Sequence, residues 1–374
     1  MVHTPGRGLP EHPGSDPNRA GGFSRHIHRG FRRAAAKGFP TMPKAFVTGA
    51  TGFVGYHVAR HLLQKGWQVI ALRRSGSSHP EGGALPVEWR IGDLGRREDL
   101  SRAMEGCEAV FHVAADYRLW AKDPAEIYAN NVDGTVHVLQ AALEIGVHRV
   151  VYTSSVGALG LRKDGSPADE TVPVSLDDMV GHYKRSKYLA ERKAEEFLQR
   201  GLPIVVVHPS TPVGPGDHKP TPTGKIIVDF LNRRMPAYLN TGLNIIDVRD
   251  VAAGHLLALE VGRVGEKYIL GNRNMALSEI FQHLEKLSGV KAPWMRLPHT
   301  PILALAHLFQ AASRLTGTQP LIPLEGVRMA KKFMFFDAGK AVRELGLPQT
   351  PVEKALSDAV AWFTNNGYVN QTRS

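Results

Sequence analysis

Tyr183 and Lys187 stand four residues apart in Gly181-His182-Tyr183-Lys184-Arg185-Ser186-Lys187, which opens a segment rich in Ala, Glu, Lys and Arg running toward Arg200. On a helix that spacing puts both side chains on one face, where they can meet the same ligand. A phenol with a pKa near ~10 is a poor base at neutral pH, and moving it to ~7 takes about 4 kcal/mol. One unit charge ~4 Å away in an effective dielectric of ~20 supplies about that much. The Lys187 ammonium is therefore expected to make Tyr183 a usable general acid/base. A third member is expected from Val151-Tyr152-Thr153-Ser154-Ser155, where Ser155, 28 residues before the tyrosine, would hold the substrate oxygen that Tyr183 protonates or deprotonates. The competing reading is an exposed aromatic–cation pair on a surface helix, because a lone Tyr-x-x-x-Lys occurs by chance on many helices.

A second motif gives that trio a purpose. Phe46-Val47-Thr48-Gly49-Ala50-Thr51-Gly52-Phe53-Val54-Gly55 sets glycines at 49, 52 and 55 between an apolar run and a helical period. Gly49 permits a tight turn, Gly52 lets backbone approach a pyrophosphate, and Gly55 allows close helix–strand packing, with the helix N-terminus supplying N–H groups and partial positive charge. The pattern predicts a dinucleotide site, with hydride moving between a substrate carbon and a nicotinamide. Where an NAD-preferring site usually ends its second strand in a carboxylate, this chain has Leu72-Arg73-Arg74-Ser75. A guanidinium there pairs with a 2′-phosphate, so Arg73 favours NADP over NAD, the alternative being a solvated strand end. Asp93 is expected either to accept from the adenine amino group or to cap a helix.

The elements that must position these residues are legible as alternation. Short apolar runs at Ala45–Thr48, Trp67–Leu72, Val87–Ile91, Ala109–Ala115, Arg149–Thr153 and Ile204–Val207 read as strands buried on both faces. Helical periods such as Val54–Lys65 lie between them. The expected fold is α/β, a Rossmann-type doubly wound parallel sheet, over residues 42–210 plus 246–261. Residues 211–245 plus 262–370 are expected to form a smaller, discontinuous substrate lobe.

Composition excludes several classes. Of 374 residues 43% are apolar and 22% charged, as in a folded globular protein. Cys107 is the only cysteine, so no intrachain disulfide or cysteine-based zinc site can form; a reducing, cytoplasmic compartment is expected. Residues 1–41 carry seven Lys/Arg against Glu11 and Asp16, a large share of the formal charge of +11. They read as a disordered basic extension: an over-extended start, a dispensable tail or a transit peptide. No nucleic-acid-binding signature accompanies the charge. No apolar stretch reaches the ~18 residues of a membrane span. Pro301–Leu315 reads as a core helix in preference to one lying on a lipid surface.

Taken together these motifs resemble the extended short-chain dehydrogenase/reductase superfamily, in its NAD-dependent epimerase/dehydratase group, over roughly Lys44 to Tyr368. The similarity includes Asn131-Val132-Asp133-Gly134-Thr135 and Pro209-Ser210-Thr211-Pro212-Val213-Gly214-Pro215. Ala114-Ala115-Asp116-Tyr117-Arg118-Leu119-Trp120, Lys219-Pro220-Thr221-Pro222-Thr223-Gly224 and Arg328-Met329-Ala330-Lys331-Lys332 make the hopanoid-associated sugar epimerases the nearest likeness, with plant dihydroflavonol reductases more distant. The resemblance implies a cofactor envelope of Gly49, Thr51, Gly52, Phe53, Val54, Gly55, Arg73, Asp93, Leu94, Val113, Ala114, Ala115, Asn131, Ser154, Tyr183, Lys187, Pro209, Ser210 and Thr211, and no metal. The chain departs from the group where dehydratases carry an Asp-Glu pair, having Val156 and Gly157, and where epimerases usually show a tyrosine, having Leu159 before Gly160.

For the substrate, Asp116, Tyr117, Arg118 and Trp120 mix an aromatic platform with charges suited to hydroxyls or phosphate; the alternative is a capping turn with packed aromatics. Lys225, Arg249 and Arg328 are candidate anion contacts, each also readable as a surface charge. Asp250 is expected to cap a helix whose Val251, His255 and Leu259 face the sheet. The expectation is an NAD(P)-dependent oxidoreductase or epimerase acting on a sugar or sugar-nucleotide, alongside hopanoid synthesis by resemblance. The alternatives are an NADPH-dependent carbonyl reductase on an apolar or lipid-linked ketone, and a catalytically silent cofactor sensor. Relatives often dimerise through two helices, which makes a homodimer one expected assembly.

Overall fold

The computed structural model describes residues 42–76, 85–318 and 320–370. The basic extension over 1–41 lies outside the described residues. From Pro43 onward the chain forms one compact unit. Its first half alternates strand and helix: β1 (Lys44–Thr48), α1 (Phe53–Gln64), β2 (Gln68–Arg73), β3 (Glu88–Ile91), α2 (Arg97–Met104), β4 (Ala109–His112), α3 (Ala125–Tyr128) and α4 (Gly134–Ile145). Then come β5 (Arg149–Thr153), α5 (Gly181–Gln199), β6 (Ile204–Pro209), β7 (Thr211–Val213), α6 (Pro222–Leu231), β8 (Ala237–Leu239), β9 (Gly242–Asp247) and α7 (Val248–Glu260). The remainder holds β10 (Lys267–Leu270), β11 (Arg273–Ala276), α8 (Leu277–Ser288), β12 (Met295–Leu297), α9 (His299–Thr316), α10 (Leu324–Met329), α11 (Gly339–Leu345) and α12 (Val352–Asn365).

Seven parallel strands form the main sheet in the order β10-β6-β5-β4-β1-β2-β3. Phe46 of β1 registers with Ile70 of β2 on one side and Val110 of β4 on the other. Strand order reverses between β1 and β4, and a doubly wound sheet binds its ligand in the crevice beyond the carboxyl ends at such a point. One core lies beneath α1, α7 and α11 and a second beneath α2, α4 and α5. Phe46, Phe111, Val151 and Val207 are fully buried there, and burying each such side chain contributes about 1.5–3 kcal/mol.

All six expected strands are present, with two corrections. β3 is a largely exposed edge strand, not a strand buried on both faces, since among the described residues no strand pairs beyond it. β10 joins the main sheet beside β6, so Lys267–Leu270 belongs to the Rossmann core although the sequence reading put it in the small lobe. A third core of Val213, Ile227, Phe230, Phe281, Leu284 and Phe363 fills the C-terminal part, under a mixed sheet of β11-β9-β7. Pro301–Leu315 falls on α9, whose outward face is exposed, which overturns the core-helix expectation.

Candidate active site

The glycine turn is built for close approach. Gly49 has φ +77°, and a Cβ there would sit 2.7 Å from the Ala114 backbone nitrogen. At Gly55 a Cβ would lie 2.1 Å from the Gly49 carbonyl oxygen, so the helix can seat on the turn only without a side chain. Gly52 N donates to Gly49 O at 2.9 Å and caps α1 with no side-chain acceptor and no acidic residue in its first turn. Thr51 and Gly52 are exposed and Phe53 and Val54 half-buried, leaving the N–H groups of the helix start presented at the sheet edge. Thr48 ties this turn to β4, its Oγ1 accepting from Val113 N and Ala114 N at 3.1 Å each. Ser210, just past β6, keeps its Oγ buried without a hydrogen-bond partner. An uncapped helix start over a glycine cradle, together with an orphaned hydroxyl, fits a dinucleotide.

Around that cradle Arg73 ends β2 half-buried. Asp93 accepts from Gly95 N at 2.8 Å, a turn two residues on; the N-cap of α2 is Arg96, so the capping role is local to the turn. Leu94 packs against the second core and its carbonyl holds His137 Nδ1 at 2.8 Å. Ala115 is half-buried between Ala114 and Asp116, Pro209 closes β6, and Thr211 begins β7.

A buried relay links the cradle to α5, the helix that carries Tyr183. Thr48 Oγ1 bonds His112 Nδ1 at 2.8 Å, and His112 Nε2 bonds Thr135 Oγ1 at 3.0 Å. Thr135 donates to Asn131 O at 2.6 Å. Asn131, 2% exposed, sits in a π-helical turn over Ala129–Asp133, a wide turn of the kind found at functional sites. Its amide donates to Ser186 Oγ and Asp116 O, both at 2.9 Å, and accepts from Asp116 N at 2.7 Å. Those bonds use both N–H groups of the amide, so Asn131 ties the loop after β4 to α5. The Ser154 hydroxyl donates to the buried Glu191.

Tyr183 is half-buried near the start of α5, hydrogen-bonded to Ser155, whose Oγ also accepts from Gly157 N at 3.0 Å. Burial raises the phenol above its ordinary value, with the Ser155 bond acting against it. Lys187 is 2% exposed and donates to Thr153 O at 2.7 Å and Tyr152 OH at 3.3 Å. Burial lowers it to about 8. The expectation that Lys187 acidifies Tyr183 is thus corrected for this geometry: the ammonium is turned into the strand, and desolvation governs the phenol. One turn on, Glu191 accepts from Lys267 at 2.6 Å and bonds His208 at 2.8 Å, and these partners hold its carboxyl well below the usual range. Sequence reasoning missed Glu191, Thr48, His112 and Tyr152; the continuation of the Tyr183–Lys187 face at i+8 would have found the first.

Among the substrate candidates, Arg118 closes on Asp116 at 2.6 Å and on Glu126 at 3.0 Å, so two of the expected ligand charges neutralise each other. Tyr117 OH donates to Lys219 O at 3.2 Å, joining the loop after β4 to the loop before α6. Trp120 lines a cavity of about 540 Å³ with Lys122, His182, Gln310, Glu325 and Arg328. Lys225 is an exposed partner of Asp229, and Arg249 is held by Asp247 and Asp358. The cap of α7 is Asp247, while Asp250 binds Thr350 N at 2.7 Å; Val251, His255 and Leu259 do face the sheet. Leu159 is buried in the first core, and a Cβ at Gly160 would meet Pro173 O at 2.7 Å. Glu325 of α10 accepts from His182 N at 3.1 Å and so caps α5 from far along the chain.

The sequence model described as "NAD dependent epimerase/dehydratase family" matches residues 45–271, from β1 through the cradle and the Tyr183 helix to the end of β10. The chain belongs to the NAD-dependent epimerase/dehydratase family. This family member is 50% identical over 87% of its length to a Synechocystis protein carrying the provisional name dihydroflavonol 4-reductase, covering 95% of that protein. It is 34% identical to sterol demethylase protein B of Methylococcus capsulatus, over 86% of this chain and 99% of that one. The crystal structure of gox2253 superposes with a TM-score of 0.79 at 46% identity, covering 88% of this chain and all of the other. As a family member the chain is an NAD(P)-dependent oxidoreductase or epimerase of the extended short-chain type. Among the described residues no helix is long and apolar enough to cross a membrane, and no cluster of side chains could hold a metal.

Proposed function

We propose that this family member transfers hydride at a carbinol or ketone carbon of a sugar or sugar-linked substrate in the cytoplasm, working in the reductive direction with Tyr183 as proton donor. The observation that carries the reading is the Ser155–Tyr183 pair just past the carboxyl end of β5: a half-buried phenol at the start of α5, hydrogen-bonded to a hydroxyl that follows the strand. When bound, the nicotinamide cofactor supplies the hydride. The uncapped start of α1 would hold its pyrophosphate and Arg73 a 2′-phosphate. Ser155 and Tyr183 hold the carbonyl oxygen, and Tyr183 gives it a proton as the carbon is reduced. Lys187 steadies this corner through Thr153 O and Tyr152. Val156 and Gly157 supply no acid or base for elimination, which argues against dehydration.

Reduction is favoured over epimerisation by Leu159, which stands where epimerases of the group usually show a tyrosine, and by Arg73, which favours NADP. The reductase name of the Synechocystis relative agrees with net reduction. A role beside hopanoid synthesis rests on the motif resemblance alone. The test is direct. Purified protein supplied with NADPH and a panel of ketoses and cyclic ketones is expected to oxidise the cofactor stoichiometrically with carbonyl consumed. Retention of cofactor through gel filtration, with interconversion of sugar epimers and no net oxidation, would instead establish the epimerase reading.

Cofactor choice is a separate expectation. Arg73→Glu should lower kcat/KM for NADPH by about 10²-fold or more while leaving NADH within a few-fold, since it replaces a phosphate partner with a like charge. Equal loss with both cofactors would mean that Arg73 serves the strand end and not the ribose.

A further inference from the structure

We infer that the outer face of α9 seats the protein on the surface of an anionic lipid bilayer. Six of the thirteen large hydrophobic side chains exposed among the described residues lie between Trp294 and Leu321. Trp294 is 84% exposed, Leu308 69%, Leu315 90% and Leu321 81%. On a helical wheel Pro301, Ala304, Leu305, Leu308, Ala311, Ala312 and Leu315 fall on one sector, every one of them exposed, and His307 and Thr316 border it. Ala306 and Ser313 point the other way and are buried, while Gln310 and Ser313 line the cavity beside His182. The usual surface helix turns charge outward; α9 turns a leucine stripe outward, with Gln310 and Ser313 on the inward side.

Charge selects the occupant. From Val290 to Leu324 the sequence contains no Asp or Glu, but it contains Lys291, Arg296 and Arg314. Packed against α9 is α10, anchored by the His299 Nε2 bond to Val327 O at 2.8 Å, and it leads into the exposed Arg328, Lys331 and Lys332. An apolar stripe flanked by cations complements acyl chains beneath acidic headgroups. A second copy of the chain fits less well, because a two-fold interface would press this acid-free, cationic stretch against its own image. At 18 residues α9 is about 27 Å long, and among the described residues no helix is long and apolar enough to cross a membrane, so the proposed contact lies along the bilayer.

The experiment uses the full chain in flotation with vesicles of phosphatidylcholine alone and of phosphatidylcholine with a quarter phosphatidylglycerol. The parent is expected to float with the anionic vesicles, and Trp294 emission to shift to the blue, a shift that Trp294→Phe removes. A triple variant, Leu305→Ser with Leu308→Ser and Leu315→Ser, is expected to lose partitioning by about 30-fold or more. Its thermal midpoint should match the parent's, since all three side chains are exposed; should it not, the Trp294 shift in the parent decides the matter. The proposal is overturned if the parent stays out of the anionic vesicle fraction, if the triple variant floats as well as the parent, or if neutral and anionic vesicles bind equally. Self-association through this face, abolished in the triple variant while neither protein floats, overturns it as well.

Discussion

Tyr183→Phe should cut kcat for carbonyl reduction by about 10³-fold, within the 10²–10⁴ that a positioned general acid supplies. The phenol sits at the one place where the Ser155 hydroxyl, the end of β5 and the start of α5 converge. Removing its oxygen leaves the ring and hence the packing, so the thermal midpoint and cofactor affinity should stay near those of the parent. Stopped-flow turnover with NADPH, paired with calorimetric titration of the cofactor, separates the two quantities. A variant that keeps more than about a tenth of the parent's kcat would remove Tyr183 from the chemistry.

The second large effect belongs to Gly55→Val. Even the first carbon of that side chain would lie 2.1 Å from the Gly49 carbonyl oxygen, a backbone atom that cannot swing aside. The helix must then lift from the turn, which costs about 1–3 kcal/mol of stability or more and withdraws the N–H groups that would hold a pyrophosphate. Cofactor affinity is expected to fall by about 10²-fold or more, measured by calorimetry below the variant's own melting temperature. Gly66→Ala is the control: its φ of +81° adds strain, but no atom lies within 4 Å of the new carbon, so stability should drop with cofactor affinity unchanged.

The main sheet was legible because strands buried on both faces must be written in nearly unbroken apolar residues, and β1, β4, β5 and β6 are. The glycine turn was legible because only backbone without Cβ fits there. What stayed hidden was direction. Spacing puts Lys187 on the face of Tyr183 but does not say whether a four-carbon chain points up to a ligand or down to Thr153 O. Periodicity marks α9 as amphipathic but not which side meets water. Asn131, Ser154 and Arg249 have partners, Ser186, Glu191 and Asp358, that are visible only once distant elements are brought together, whereas Asp229, four residues after Lys225 on one helix, is legible from spacing alone. β10 was missed because four residues between glycine-rich turns give too short a pattern to assign to a sheet begun more than 200 residues earlier.

The relay through His112 has a consequence for how the enzyme meets acid. Burial lowers His112 to about 3, and His57 and His255, which brace the loop after β7 and the end of β5, to about 4 each. All three stay uncharged struts through any physiological range, so mild acidity does not disturb the scaffold around the phenol. The unfolded chain, with ordinary imidazoles, takes up protons that the folded one refuses. Stability therefore drains away as pH drops below about 6.5 and levels off only near the folded values. Acid would empty the population of native molecules while those that remain keep their architecture intact.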